Sequence, residues 1–287
     1  MIRVGSRDSR LAVVQAEEVC HALGDCELIT MKTTGDMVLD KTLDKVGGKG
    51  LFVKELDRAL ADGRVDLTVH SLKDVPMEQP DGLPLVAFTK RADARDALVL
   101  PESGVWNKSK PLGCASARRR VQLKALFPEI DVQPVRGNVQ TRLAKLESGA
   151  YGALVLAAAG LQRLGLEGRI SRYFSPDEII PAAGQGILAV QGRAGEFEDA
   201  ARLVDDPDAR DCAAAERSFI KTLGGGCFAP VAAYAETQGD TLHLRGLYVT
   251  EDERHMARGA VTGRRAEAAS LGRTLALQLK HQAEGNV

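Results

Sequence analysis

Aromatic side chains make up only 4% of the 287 residues, too few for the stacking platforms that grip single-stranded nucleic acid. Net charge is almost absent. The chain has 38 Lys+Arg against 39 Asp+Glu, a formal charge of -1. It is not a basic nucleic-acid coat, and any anion site must come from local clustering. Long apolar runs are missing too: a stretch such as Ala153 to Ala159 falls far short of the roughly 20 residues that cross a bilayer. The cysteines (Cys20, Cys26, Cys114, Cys212, Cys227) are odd in number and scattered, with no CxxC pair. That argues against a disulfide framework or a zinc knuckle. No HExxH or GxSxG motif occurs, so zinc-hydrolase and α/β-hydrolase chemistry lack support. Met1-Ile2-Arg3-Val4-Gly5 reads directly into a strand rather than as an export signal. The expectation is a cytoplasmic protein with free thiols and no bound metal, making no contact with membrane or nucleic acid.

The composition, 44% apolar and 27% charged, is that of a globular protein, and the length suggests two or three domains. Strand-like and helix-like segments alternate through the first two thirds. Ile2 to Ser6, Cys26 to Thr33 and Asp66 to His70 read as strands. Ser9 to Leu23 and Leu51 to Ala61 read as helices. A second run has strands at Ala97 to Leu100, Pro111 to Ala115, Asp131 to Arg136 and Gly152 to Ala157. Helices lie between them at Ser116 to Phe127 and Asn138 to Ser148. Such alternation predicts α/β domains with doubly wound, mainly parallel sheets. After about Asp205 the pattern changes. A helix from Cys212 to Leu223 precedes strands at Ala229 to Ala235, Thr241 to Val249 and Met256 to Val261. A last helix follows from Arg265 to Gln282. This reads as a small α+β domain. The expected division is 1–90 with 183–204, then 91–182, then 205–287.

The basic residues gather at element ends. Arg7-Asp8-Ser9-Arg10, Ser116-Ala117-Arg118-Arg119-Arg120 and Arg136-Gly137-Asn138, with Arg142 one turn on, each join a strand to a helix. Helix N-termini offer free N–H groups and a positive dipole end, and arginine adds a planar fork that matches carboxylate or phosphate. Any one arginine, taken alone, reads more readily as a solvated surface charge. The repeated strand–Arg–helix arrangement points to a cleft for a polyanionic small molecule, at the carboxyl ends of the strands. Lys45-Val46-Gly47-Gly48-Lys49-Gly50 is a glycine loop with two lysines, but not a Walker A loop, because Gly50 stands where Ser or Thr is needed. Lys73 and Asp74 follow a buried strand, where catalytic side chains are commonly placed. A carboxylate among cations there would stabilise a developing positive charge; the plain alternative is a turn Asp with a neighbouring Lys. Gly224-Gly225-Gly226-Cys227 places a thiol on a flexible loop, unlike the other cysteines, which sit in strand or helix patterns.

In this order, those segments resemble the porphobilinogen deaminase (hydroxymethylbilane synthase) family. The resemblance rests on Gly5-Ser6-Arg7-Asp8-Ser9, Val46-Gly47-Gly48-Lys49-Gly50-Leu51-Phe52, His70-Ser71-Leu72-Lys73-Asp74-Val75-Pro76 and Arg95-Asp96-Ala97. It continues through Arg136-Gly137-Asn138-Val139, Pro181-Ala182-Ala183-Gly184-Gln185-Gly186 and Gly225-Gly226-Cys227. It implies a monomeric transferase of porphyrin (haem) biosynthesis that joins four porphobilinogen molecules head to tail. Ammonia is released at each joining, and the product is the linear tetrapyrrole hydroxymethylbilane. It further implies a dipyrromethane cofactor held by a thioether to Cys227, and Asp74 as the catalytic residue. By the same matching, Arg7, Ser9, Lys73, Ser116, Arg118, Arg119, Arg136, Arg142 and Arg163 bind cofactor and substrate carboxylates, while Lys45 and Lys49 belong to a mobile loop. The implied fold has three domains, the first two like two-lobed anion-binding proteins, with domain one closed by a segment returning after Gly186. A non-enzymatic anion-binding protein of that two-lobed type is the alternative; it would need neither Asp74 nor Cys227. The sequence departs from the family at Gly113-Cys114-Ala115-Ser116, where two hydroxyls are replaced.

Overall fold

The computed structural model describes residues 1–37, 53–224 and 230–285. The chain divides into two compact units, 1–92 with 186–210 and 93–185 with 211–287.

The first unit opens with β1 (Ile2–Arg7), α1 (Arg10–Leu23), β2 (Cys26–Met31) and α2 (Thr34–Met37). It continues with α3 (Lys54–Ala61), β3 (Leu67–Ser71) and β4 (Leu85–Phe88). The chain then enters the second unit as β5 (Asp96–Val99), β6 (Leu112–Cys114), α4 (Ala117–Leu126), β7 (Val132–Pro134), α5 (Val139–Glu147), β8 (Ala153–Ala157), α6 (Ala158–Arg163) and β9 (Ile170–Tyr173). It returns to the first unit as β10 (Leu188–Gly192) and α7 (Glu198–Arg202). Helix α8 (Pro207–Thr222) leads into β11 (Ala232–Gln238), β12 (Thr241–Val249), β13 (Met256–Arg264) and α9 (Ala268–Glu284).

The sheet of the first unit has the order β2-β1-β3-β10-β4, and the five-stranded sheet of the second has β7-β6-β8-β5-β9. In each, three strands run parallel, and the fourth in order pairs antiparallel with both neighbours. Four of five strands therefore point one way, as the alternation predicted. The reversed strand is the one by which the chain has just arrived: β10 on its return, β5 on its first entry. The small sheet β11-β12-β13 is an antiparallel meander.

Burial follows the side-chain periods. On α1, Ala12, Gln15, Ala16 and Val19 are buried, a helical spacing, with Ser9 capping the N-terminus. Strands β5 and β8 are buried on both faces. Ala97, Val99, Leu154 and Leu156 enter one core cluster, and Leu98, Ala153 and Val155 the opposite one. This is how strands in sheets covered on both sides behave. Helix α9 packs on the meander through Leu275 and Leu279: a Cβ at Gly259 would stand 2.9 Å from Leu279, and one at Gly246 would stand 2.6 Å from Phe219 and 3.0 Å from Leu275.

Several ends differ from the sequence expectation for identifiable reasons. Helix α8 starts at Pro207 rather than Cys212, because Asp206 Oδ1 accepts the Ala209 N–H at 2.7 Å as an N-terminal cap. Strand β3 starts after Asp66, whose carboxylate takes the backbone N–H and the guanidinium of Arg3. Strands β4 and β9, which the alternation did not pick out, are short and pair as edges of the two larger sheets.

Candidate active site

In the first unit, parallel β1 and β3 end side by side. Strand β1 delivers half-buried Arg7, and the Ser9 side chain accepts the Ala12 N–H at 3.4 Å to start α1. Strand β3 runs on into a 3-10 turn, Leu72–Asp74, closed by the Val75 N–H donating to the Leu72 carbonyl at 3.1 Å. Leu72 is buried and its N–H donates to the Ile187 carbonyl at 3.0 Å, so the returning segment fixes the turn. That segment passes close at Gly186 (φ +90), where a Cβ would stand 2.6 Å from the Ala92 carbonyl. Lys73 and Asp74 remain half-buried at the strand's end. Asp74 and Arg7 line one small recess with Gln15, His70 and Ser71. Gln15 and Ser71 hydrogen-bond each other across it, at 2.8 and 3.0 Å. His70 lies beneath, with Nε2 2.9 Å from the Thr68 hydroxyl. Burial lowers its pKa to about 4 despite a hydrogen bond with Gln191, so the ring is neutral near pH 7.

In the second unit the carboxyl edge of the sheet carries Ser116, Arg118, Arg119, Arg136 and Arg142. Ser116 follows β6 and caps α4 by accepting the Arg119 N–H at 3.2 Å. Arg118 and Arg119 occupy the first turn of α4, where the helix dipole disfavours cations. Both are buried, at 4% and 5% exposure, against Asp96, at 0%. Arg118 Nη1 donates to Asp96 Oδ2 at 2.7 Å, and Arg119 donates to Asp96 Oδ1 through Nε at 2.9 Å and Nη2 at 2.7 Å. Burial alone would raise the Asp96 pKa; the two guanidiniums hold it well below the usual carboxylate range. Gln185 adds a donor to Asp96 Oδ1 at 3.0 Å. Arg136 follows β7, and Asn138 caps α5 by accepting the Thr141 N–H at 2.9 Å. Arg142 Nε donates to the Gly137 carbonyl at 2.7 Å. Arg163 stands in the last turn of α6, and Arg136, Arg142 and Arg163 are all half-buried. Thus Arg7 and Asp74 line one recess, with Ser9 and Lys73 following the same two strands β1 and β3, and Ser116, Arg118, Arg119, Arg136 and Arg142 follow the carboxyl ends of β6 and β7 in the other unit. Cys227, Lys45 and Lys49 lie outside the described residues.

The family model described as "Porphobilinogen deaminase, dipyromethane cofactor binding domain" matches residues 2–200. A second, "Porphobilinogen deaminase, C-terminal domain", matches residues 211–281. The chain belongs to the porphobilinogen deaminase family. It is 53% identical over 285 residues to porphobilinogen deaminase of Ruminiclostridium josui, covering 97% of both chains. It is 47% identical over 295 residues to that of Chromobacterium violaceum, covering 97% of this chain and 94% of the relative. Among solved structures, the periplasmic VFT2 domain of Bordetella pertussis BvgS aligns with a TM-score of 0.40 at 15% identity, covering 70% of this chain and 84% of that one.

The second unit fits the dipyrromethane of the family. Asp96 is one negative charge facing two buried guanidiniums and a helix N-terminus, so an excess of positive charge remains for carboxylates. Among the described residues, both side-chain hydrogen bonds of Arg118 run through Nη1, to Asp96 and to the Ile180 carbonyl at 2.8 Å. Asp96 and Gln185 lie in the segments that carry the resemblance but have no role marked by the sequence, and nothing in the sequence marks Gln15. The available signal was a charge opening the wholly buried strand Asp96-Ala97-Leu98-Val99. A buried carboxylate needs partners, and the adjacent arginines of α4 supply them.

Proposed function

We propose that this chain is a hydroxymethylbilane synthase, a transferase that joins four porphobilinogen molecules head to tail with loss of ammonia. The observation that carries the reading is the family match along nearly the whole chain. The half-buried carboxylate of Asp74 at the end of β3, beside Arg7, supports it. In this reading Asp74 is catalytic, and Arg7, Ser9, Lys73, Ser116, Arg118, Arg119, Arg136, Arg142 and Arg163 hold acetate and propionate groups. Lys45 and Lys49, in the sequence Lys45-Val46-Gly47-Gly48-Lys49-Gly50, add positive charge for the same carboxylates. Bound through a thioether at Cys227, the dipyrromethane supplies a tethered primer with a free pyrrole carbon. The enzyme works as a cytoplasmic monomer in three parts: 1–90 with 183–204, then 91–182, then 205–287, the last carrying the tether.

Each condensation breaks the bond between the aminomethyl carbon and nitrogen of porphobilinogen. The nitrogen is protonated before it goes, so the electron pair leaves with it as neutral ammonia and the positive charge passes to the pyrrole. The exocyclic carbon then bonds to the free pyrrole carbon at the chain end, which releases its proton. A fixed carboxylate stabilises that charge more than it stabilises the neutral pyrrole of the ground state, and this difference is what accelerates the step. The 3-10 turn that carries Asp74, held on Ile187, supports this role. The arginines bind the carboxylates and orient the pyrrole, holding it in one pose. Intact-mass measurement tests the tether: wild-type protein carries the added mass of two pyrrole units, while Cys227→Ser lacks it and forms no hydroxymethylbilane. A fully active Cys227→Ser enzyme would contradict the reading.

A further inference from the structure

Gln122 is 2% exposed, in the middle of α4 and one turn beyond Arg118. Its Nε2 donates to the Arg118 carbonyl at 3.2 Å and to the Ile180 carbonyl at 3.1 Å. Its Oε1 accepts the Ile180 N–H at 2.8 Å and Arg258 Nη2 at 2.6 Å. All four hydrogen-bonding positions of the amide are thus used. The Ile180 carbonyl also accepts Arg118 Nη1 at 2.8 Å, and the Ile180 side chain is buried among Ala232, Tyr234, Leu247 and Val249 of the small sheet. Arg258 stands on the exposed face of β13 and also donates to the Glu178 carbonyl at 3.0 Å. One unbroken chain of hydrogen bonds therefore runs from β13 through Gln122 and Ile180 to the Arg118 guanidinium.

We propose that Gln122 and Arg258 are positioning residues, through which the small C-terminal sheet sets the rotamer of Arg118 for carboxylate binding. The inference rests on the reading that Arg118 holds a cofactor or substrate carboxylate. A buried arginine in the first turn of a helix is opposed by the dipole and by desolvation. Asp96 supplies its counter-charge, and the Ile180 carbonyl fixes the direction in which the guanidinium lies. That carbonyl is held in turn by Gln122, and Gln122 by Arg258.

The test uses purified holoenzyme and two readouts: the fraction carrying the added pyrrole mass, and KM and kcat for porphobilinogen. Arg258 is at the surface, so Arg258→Met should fold. The expected result is a lower loaded fraction and a KM raised about tenfold, with kcat of the loaded fraction unchanged. Arg258→Lys should recover part of the loss. Gln122→Leu should do at least as much harm, and adding Arg258→Met to it should do no more, because residues acting in one network are not additive. A lower melting temperature with wild-type loading and KM would mean purely structural roles and would overturn the inference. So would independent, additive effects in the double variant. Wild-type protein without the added mass and without turnover would overturn the proposed function itself. Loaded, active wild type with an indistinguishable Arg258→Met would overturn the positioning role alone.

Discussion

Arg118 Nη1 and Asp96 Oδ2 meet at 2.7 Å with both side chains almost wholly removed from solvent. Asp96 also holds Arg119, so one carboxylate offsets two buried cations. Removing one member of such a cluster leaves uncompensated buried charge.

Asp96→Asn is therefore expected to destabilise the protein by about 3–5 kcal/mol in urea unfolding. The sign of the pH effect follows from the depressed folded-state pKa. The contribution of Asp96 is present above the ordinary carboxylate pKa and is lost as pH falls through its lower folded value. Wild type should lose stability below about pH 4 more steeply than Asp96→Asn. Equal acid sensitivity would contradict the buried pairing.

His70 gives a separate window. Its folded pKa is about 4 against an ordinary 6.5, so the folded state binds fewer protons between those values. Its contribution to stability is full above pH 6.5 and declines on acidification toward pH 4, at no more than roughly 1.4 kcal/mol per pH unit. His70→Gln can keep a hydrogen bond to Thr68 and has no proton to gain. Its unfolding free energy should change less between pH 6.5 and pH 4 than that of wild type, as measured by urea titration at each pH. A variant with the full wild-type slope would show that His70 is not the group responsible.

Arg136 and Arg142 are half-buried rather than enclosed, so replacement by Leu should alter stability little, within about 1 kcal/mol. Loss of one strong charge-assisted contact, roughly 1.5–3 kcal/mol, should instead block cofactor assembly or stall elongation. Native mass spectrometry during turnover would show enzyme carrying fewer added pyrroles than wild type reaches. Normal loading and normal kinetics in both variants would return these arginines to the role of solvated surface charges.

Much of this arrangement was legible in the sequence. The opening strand before Arg7, the helix that follows it and the place of Asp74 after a buried strand all follow from local rules. The burial of Arg118 and Arg119 does not. It depends on β5 running antiparallel to β8, which sets Asp96 opposite Ala157 at the edge where α4 begins. Apolar alternation fixes which face a residue takes but carries no information on strand direction, so Asp96 could not be assigned to either edge beforehand. The Gln15–Ser71 pair across the recess is hidden for the same reason: it joins residues 56 positions apart, through the packing of α1 on β3.

The central claim is that the Asp74 carboxylate stabilises charge as ammonia leaves. Steady-state consumption of porphobilinogen by Asp74→Asn and Asp74→Glu, each reconstituted with preformed cofactor, tests it most directly. Asn has the same size without the charge and should fold and bind, yet lose turnover by roughly two to three orders of magnitude. Glu keeps the charge displaced by one methylene and should retain measurable activity. An Asp74→Asn enzyme as fast as wild type, or faster than Asp74→Glu, would contradict the account.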